Sequence, residues 1–257
     1  MTLDTIGDIA NPSLTEQSAT EVPEEQPGLE AWYDAKEFSL TDGDPISTWA
    51  DQSGNGNDAT QGTSGDQPTY KENFNGSQPC VEFSAISDTD HLILPQGFMP
   101  SSPSGATLYV VLTCEYTSAP SGNGHAVYYN GDGSGTQADS HLPWKDGTVY
   151  EGWGRTTRNL TYSASGASID TPHVYTITSG STYEAYHNNT STATDSSGSV
   201  AFDSNITEPK LGMHDGDATQ DKRDWGGQVA EVIFYSAEHN STDRTEVYDY
   251  LKSKWSL

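Results

Sequence analysis

The sequence predicts an all-β domain, a sandwich or jelly roll of two antiparallel sheets, finished by one short C-terminal helix. Three observations predict it. Turn-like segments such as "DQSGNGND", "FNGSQP", "NGDGSGT" and "HDGD" recur at short intervals. Between them lie strand-like runs at 107–116, 125–130, 148–153, 173–179, 182–187, 199–203, 208–213 and 227–235. Many short strands joined by Gly, Asn and Asp turns are the signature of sandwiches and jelly rolls. Only the last segment of the chain carries a helical period.

The elements follow in chain order. Residues 1–27, with "NPSLTEQSATEVPEEQPG", are rich in Pro, Glu, Ser and Thr and poor in large apolar side chains. They read as an acidic arm or tether, with "LDTIGDIA" as a peg that could dock on a partner. The domain proper is expected over 28–257. "GLEAWYDA" opens it with aromatic and apolar residues. In "DQSGNGND", Asp51 can accept from the N–H groups of the turn that follows, Gly54 and Gly56 permit positive φ, and Asn55 tolerates it. Trp49 is expected to anchor that turn to the core, so the motif reads as structural.

"ATLYVVLTCEY" is apolar on both alternations and fits a central strand covered on each face. "VYTITSG" and "YEAYHN" alternate around "SGS", a tight-hairpin signal. In the C-terminal segment Val247, Leu251 and Trp255 recur every four residues and form one apolar stripe. Asp243 with Glu246 fits a capping box, and Lys252 and Lys254 fall in the last turn, where the helix dipole favours cations. The helix is expected to close one end of the sandwich, with Trp255 as its plug.

Composition narrows the function. With 37 acidic residues against 11 Lys plus Arg, the formal net charge is −26. Such a surface repels nucleic acid and anionic lipid, so neither nucleic-acid binding nor membrane insertion is expected. Fourteen Tyr, six Trp and six Phe are too many for a disordered acidic chain. The acidity therefore points to a folded protein adapted to high salt, which screens the repulsion between carboxylates. No basic, apolar leader opens the sequence and no 18-residue apolar run occurs. Cys80 and Cys114 each lie in a strand-like run; a disulfide and two buried free thiols both fit.

Candidate sites are few. Asp215, Asp217, Asp221 and Asp224 crowd one loop, the oxygen-rich arrangement that calcium takes, so calcium is the one cofactor expected. Asp132 and Asp139 are a weaker second set. Trp144, Tyr150 and Trp225 are candidates to stack on sugar faces, with Trp144 on a loop and Trp153 in the core. Asn75, Asn159, Asn188, Asn189, Asn205 and Asn240 begin Asn-x-Ser/Thr sequons. No catalytic residue is expected. Glu231 has no acidic residue two or four positions away, as a paired-carboxylate strand would need.

"GLEAWYDAKEFSLTDGDPISTWADQSGNGNDATQ", followed by "QPTYKENFNGSQPCVEFSAISDTDHLILP", resembles the opening of concanavalin A-like, laminin-G-like jelly-roll domains. "GGQVAEVIFYSAEHNSTDRTEVYDYLKSKW" resembles their last core strand and terminal helix. The resemblance implies that fold over 28–257 and raises the expectation of calcium at a loop edge. It leaves function open, because one fold hosts many functions.

The expectation drawn is a non-enzymatic virion structural protein of a halophilic virus: a turret, spike, decoration or tail-fibre subunit with an adhesive head. Its partners would be other virion proteins through the arm, a host-surface glycan or glycoprotein, and further copies of itself. It would lie on the virion surface. The alternatives are a lectin or adhesin, extracellular or at the surface of a halophilic archaeon or bacterium, and a glycoside hydrolase of the same fold.

Overall fold

In a computed structural model of the chain, the described residues are 22–84, 90–118, 123–130, 137–155, 160–195, 199–202, 208–214 and 223–257. Two antiparallel sheets make up the domain. The first runs in the order Thr190–Asp195, Tyr183–His187, His173–Ser179, Ala106–Cys114, Gly227–Tyr235, Gln78–Phe83 and Thr69–Phe74. Leu29–Asp34 also joins Gly227–Tyr235. The second runs Leu160–Ser163, Thr148–Glu151, Gln137–Trp144, Asn123–Asn130, Lys210–Leu211, Leu92–Ile93, Ala59–Thr60 and Thr48–Trp49. Met213–His214 and Arg223–Asp224 form a small ribbon beside them.

Gly227–Tyr235 organises the first sheet. One edge pairs along its length with Ala106–Cys114. The other edge is divided: residues 227–229 pair with Gln78–Phe83, and 231–235 pair with Leu29–Asp34. The register shifts between Val229 and Glu231, and such a bulge lets one strand serve two partners. Ala106–Cys114 is buried at every residue but Thr113, as its unbroken apolar run predicts. Between the sheets, Phe234 meets Trp153, Tyr33 and Phe98 ring to ring, and Phe202 packs on Trp153.

The turn after Trp49 is stitched to the first strand. Asp51 accepts from the N–H groups of Trp32, Ser53 and Asn57, and Asn55 and Asn57 donate to the Glu30 carbonyl. Gly54 and Gly56 take φ of 81° and 75°, which a Cβ would oppose.

The helix spans Ser241–Trp255 and buries Val247, Leu251 and Trp255. Its capping box joins Asn240 to Asp243, three residues earlier than the expected Asp243–Glu246 pair. Asn240 wins because its short side chain reaches the N–H groups of Thr242 and Asp243. Nor does the helix plug an end of the sandwich. It lies along the outer face of the first sheet, where its side chains meet Trp32, Asp34, Tyr186 and Glu231.

Two further expectations change. Residues 22–27, read as part of the arm, fold onto the domain. Val22–Glu25 form a helical turn, Tyr235 donates to the Pro23 carbonyl, and Gln26 donates to Glu246. Residues 199–202 are not a strand: the backbone N–H groups of Ala201 and Phe202 donate to Gly154 and Ser101, while Val200 and Phe202 plug the core. Cys80 and Cys114 are buried free thiols, and burial pushes the Cys80 thiol up to about 12 and Cys114 higher still.

Candidate functional site

The outer face of the first sheet is occupied by the helix. The second sheet carries two partly exposed aromatic residues side by side, Trp144 and Tyr150. Along its edge, Val149, Glu151 and Leu160 are buried, while Thr161 and Ser163 are exposed. Strand alternation therefore turns Tyr150 outward with Thr148, next to Thr161 and Ser163 in register. Trp144 ends the neighbouring strand after a cis Leu142–Pro143 bond. Its ring meets Tyr150 edge to face at 6.1 Å and the buried His141 at 4.7 Å. Both Trp144 and Tyr150 remain partly exposed. The turn between them is polar: Tyr150 donates its hydroxyl to Asp146 at 2.9 Å, and Ser118 donates to the Lys145 carbonyl. Desolvation alone would raise the Asp146 carboxyl. The Thr148 N–H and the hydroxyls of Tyr150 and Thr148 outweigh it and hold the group below its ordinary range. The hydrogen bond to Asp146 raises Tyr150.

Trp144 is thus at a strand end rather than on a loop, and the structure brings it together with Tyr150. Trp225 does not join them. It is 1% exposed, donates its indole N–H to the Leu142 carbonyl and packs on Phe83, so it belongs to the core and leaves the sugar-stacking set. Its acidic neighbours made it look like a loop residue. Asp215, Asp217, Asp221 and Asp132 lie outside the described residues. Asp224 lies on the short ribbon paired with Met213, and Asp139 on the strand that ends at Trp144. Among the described residues no three His, Cys, Asp or Glu side chains are grouped to hold a metal. Trp49 is buried against Tyr33 and Phe38, and Asp51, Gly54, Asn55, Gly56 and Trp255 have the turn and packing roles described above.

Of the sequon asparagines, Asn159 and Asn205 lie outside the described residues. The Asn75 amide donates to the carbonyls of Trp255 and Ser256, and Asn189 donates to Thr245. Asn188 accepts from Val174, and Asn240 caps the helix.

A second cluster escaped the sequence. Glu231 is fully buried and accepts from the indole N–H groups of Trp32 (2.7 Å) and Trp255 (2.5 Å). Lys254 lies 3.1 Å from Glu231 and 2.5 Å from Asp34. Glu231 has no acidic partner along its own strand but has one across the sheet. Asp34 stands opposite it on the adjoining strand rather than along its own. Only the pairing of the first strand with the last reveals it; the "AWYDA" and "VAEVIF" segments carried the signal. Burial pushes the Glu231 carboxyl up to about 7, with Lys254 opposing.

This arrangement defines a two-sheet β-sandwich of the jelly-roll kind. No protein-family model and no curated protein sequence matches the chain. Solved structures share its fold. Trypanosoma rangeli sialidase in complex with sialic acid matches at a TM-score of 0.52 and 15% identity, over 88% of this chain and 33% of the sialidase. Domain 4 of the GH43 extracellular arabinanase of Geobacillus stearothermophilus, in complex with arabinotriose, matches at 0.54 and 16%, over 87% of this chain and 98% of that one. The botulinum neurotoxin serotype D binding domain matches at 0.55 and 14%, over 86% and 50%. This chain therefore spans about a third of the sialidase's length.

These likenesses overturn one expectation. The sequence predicts a non-enzymatic protein because a paired-carboxylate strand motif is missing. The same sandwich occurs in chains of a sialidase and an arabinanase, so the missing motif excludes no activity on glycosides.

Proposed function

We propose that the domain binds carbohydrate on the face carrying Trp144 and Tyr150. The observation that carries this is the pair of partly exposed rings meeting at 6.1 Å, flanked by the hydroxyls of Thr148, Thr161 and Ser163. Ring faces take the apolar faces of sugars, and hydroxyls and Asp146 take their O–H groups. Fold neighbours solved in complex with sialic acid or arabinotriose support the reading. The test is a glycan array probed in high salt with the full chain and with Trp144→Ala and Tyr150→Ala. Loss of captured glycans in both variants, with near-UV circular dichroism retained, is the expected result. Unchanged capture by both would sink it.

The finer reading is an adhesive head on the surface of a halophilic virus, with other virion proteins and further copies of itself as partners. It rests on the net charge of −26 and on an arm whose last residues, 22–27, are clamped to the head. Immunogold labelling of a lysed halophile culture tests it. Gold on discrete particles supports it, and gold on cell envelopes alone favours the cellular lectin.

A further inference from the structure

At the far edge of the second sheet from Trp144, around the Thr48–Trp49 strand, lies an open groove of about 380 Å³. That volume is within the range of small-molecule sites. Phe38, Leu40 and Trp49 give it apolar walls, and Asp34, Glu37 and Gln52 give it polar ones. The rings of Phe38 and Trp49 meet at 5.7 Å.

The charge in this groove is one-sided. Asp34 is already satisfied by Lys254 and by the Lys36 N–H. Glu37 is exposed and forms no ion pair among the described residues, and no lysine or arginine lines the groove. An anion would meet the unpaired Glu37 carboxylate and a protein of net charge −26. A neutral apolar ligand would gain nothing from Glu37, which is exposed and solvated. A positive nitrogen on a hydrocarbon body satisfies both features: the ammonium meets Glu37, and the body lies against Phe38 and Leu40. Aromatic rings attract such cations further.

We propose that this groove binds an organic ammonium ion carried on an apolar body. The site is separate from the Trp144 face and stands or falls independently of it.

The test is ligand-observed NMR on the full chain in high salt, with benzylammonium as the probe. Benzyl alcohol serves as its uncharged counterpart and benzoate as its anionic one. Benzylammonium should bind saturably and about threefold more tightly than benzyl alcohol, with benzoate silent. Glu37→Gln, at an exposed position, should weaken benzylammonium severalfold toward the level of the alcohol. Equal binding of the alcohol, full binding by Glu37→Gln, or no saturable binding of benzylammonium would each overturn the proposal.

Discussion

Asp34 and Glu231 stand opposite each other where the first strand pairs with the last, and Lys254 reaches down from the C-terminal helix to both, at 2.5 and 3.1 Å. One ammonium therefore serves two buried carboxylates and fastens the helix to the sheet. Removing it in Lys254→Met leaves both acids without their cation. A loss of about 3–5 kcal/mol is expected, as for one partner taken from a buried pair. Urea unfolding at pH 7 measures it. A loss below about 1 kcal/mol, the worth of a surface pair, would mean that the cluster contributes little.

The same centre gives a pH dependence with an unusual sign. Burial raises Glu231 from an ordinary 4.5 to about 7 in the folded protein. Between those values the folded state holds more protons than the unfolded one. The stability this contributes is complete below about 4.5 and is lost as the pH rises through about 7. Glu231→Gln should remove that slope while keeping an acceptor for one indole. Stability profiles of the two proteins that run parallel from pH 5 to about pH 8 would contradict it.

His173 and His187 push the other way. Their rings stack at 4.9 Å between the strands that hold them, and Tyr162 makes a 2.8 Å hydrogen bond with His187. Burial lowers both, His187 to about 3, with the neighbouring His173 adding to the effect. The unfolded chain binds protons from an ordinary 6.5 downward while the folded chain does not. This contribution is therefore complete above 6.5 and is lost as the pH falls toward 3. In a His187→Gln variant the melting temperature should fall less steeply between pH 6 and about pH 4 than in the parent. An unchanged acid slope would assign that loss to other groups.

The hairpin at 180–182 could be read in the sequence because its strands are neighbours in the chain. The clamp on it could not. Glu238 accepts from the N–H groups of Ser181 and Thr182 and from both hydroxyls. These bonds outweigh desolvation and hold its carboxyl below the ordinary range. A methyl group on Gly180 would overlap the Glu238 side chain. Glu238→Ala should cost about 1 kcal/mol, the net worth of such hydrogen bonds. Gly180→Ala should cost more in the parent than in the Glu238→Ala background. Additive losses in that cycle would show the two residues to be uncoupled.

What was legible and what was not divides along the same line. The buried Ala106–Cys114 strand and the Val247–Leu251–Trp255 stripe are patterns of adjacent residues, so periodicity reveals them. Lys254 and Asp34 are separated by 220 positions, and only the pairing of the chain's two ends joins them. Trp225 sits in polar sequence yet is buried by Phe83 and Leu142, both distant in the chain. The Val200 and Phe202 alternation mimics a strand, but both side chains are buried, Phe202 on Trp153, while the backbone bonds to other loops. Trp144 and Tyr150 were legible because they flank one short turn.

The remaining prediction concerns salt. A net charge of −26 on one sandwich is self-repulsion that the buried core must withstand. At about 1 M salt the screening length is about 3 Å, and at 0.1 M it grows to about 10 Å. The aromatic rings packed between the sheets provide a near-UV circular dichroism signal that reports their fixed packing. That signal should fade on dialysis to low salt and return when salt is restored. Glu25 and Asp249 are exposed, and Glu25→Lys with Asp249→Lys changes the net charge by four without touching the core. The double variant should keep its signal to lower salt than the parent. A parent that stays fully packed in low salt would leave the acidity without a stability cost and sink the halophilic reading. A double variant no better than the parent would place the salt requirement in specific ion sites rather than in overall charge.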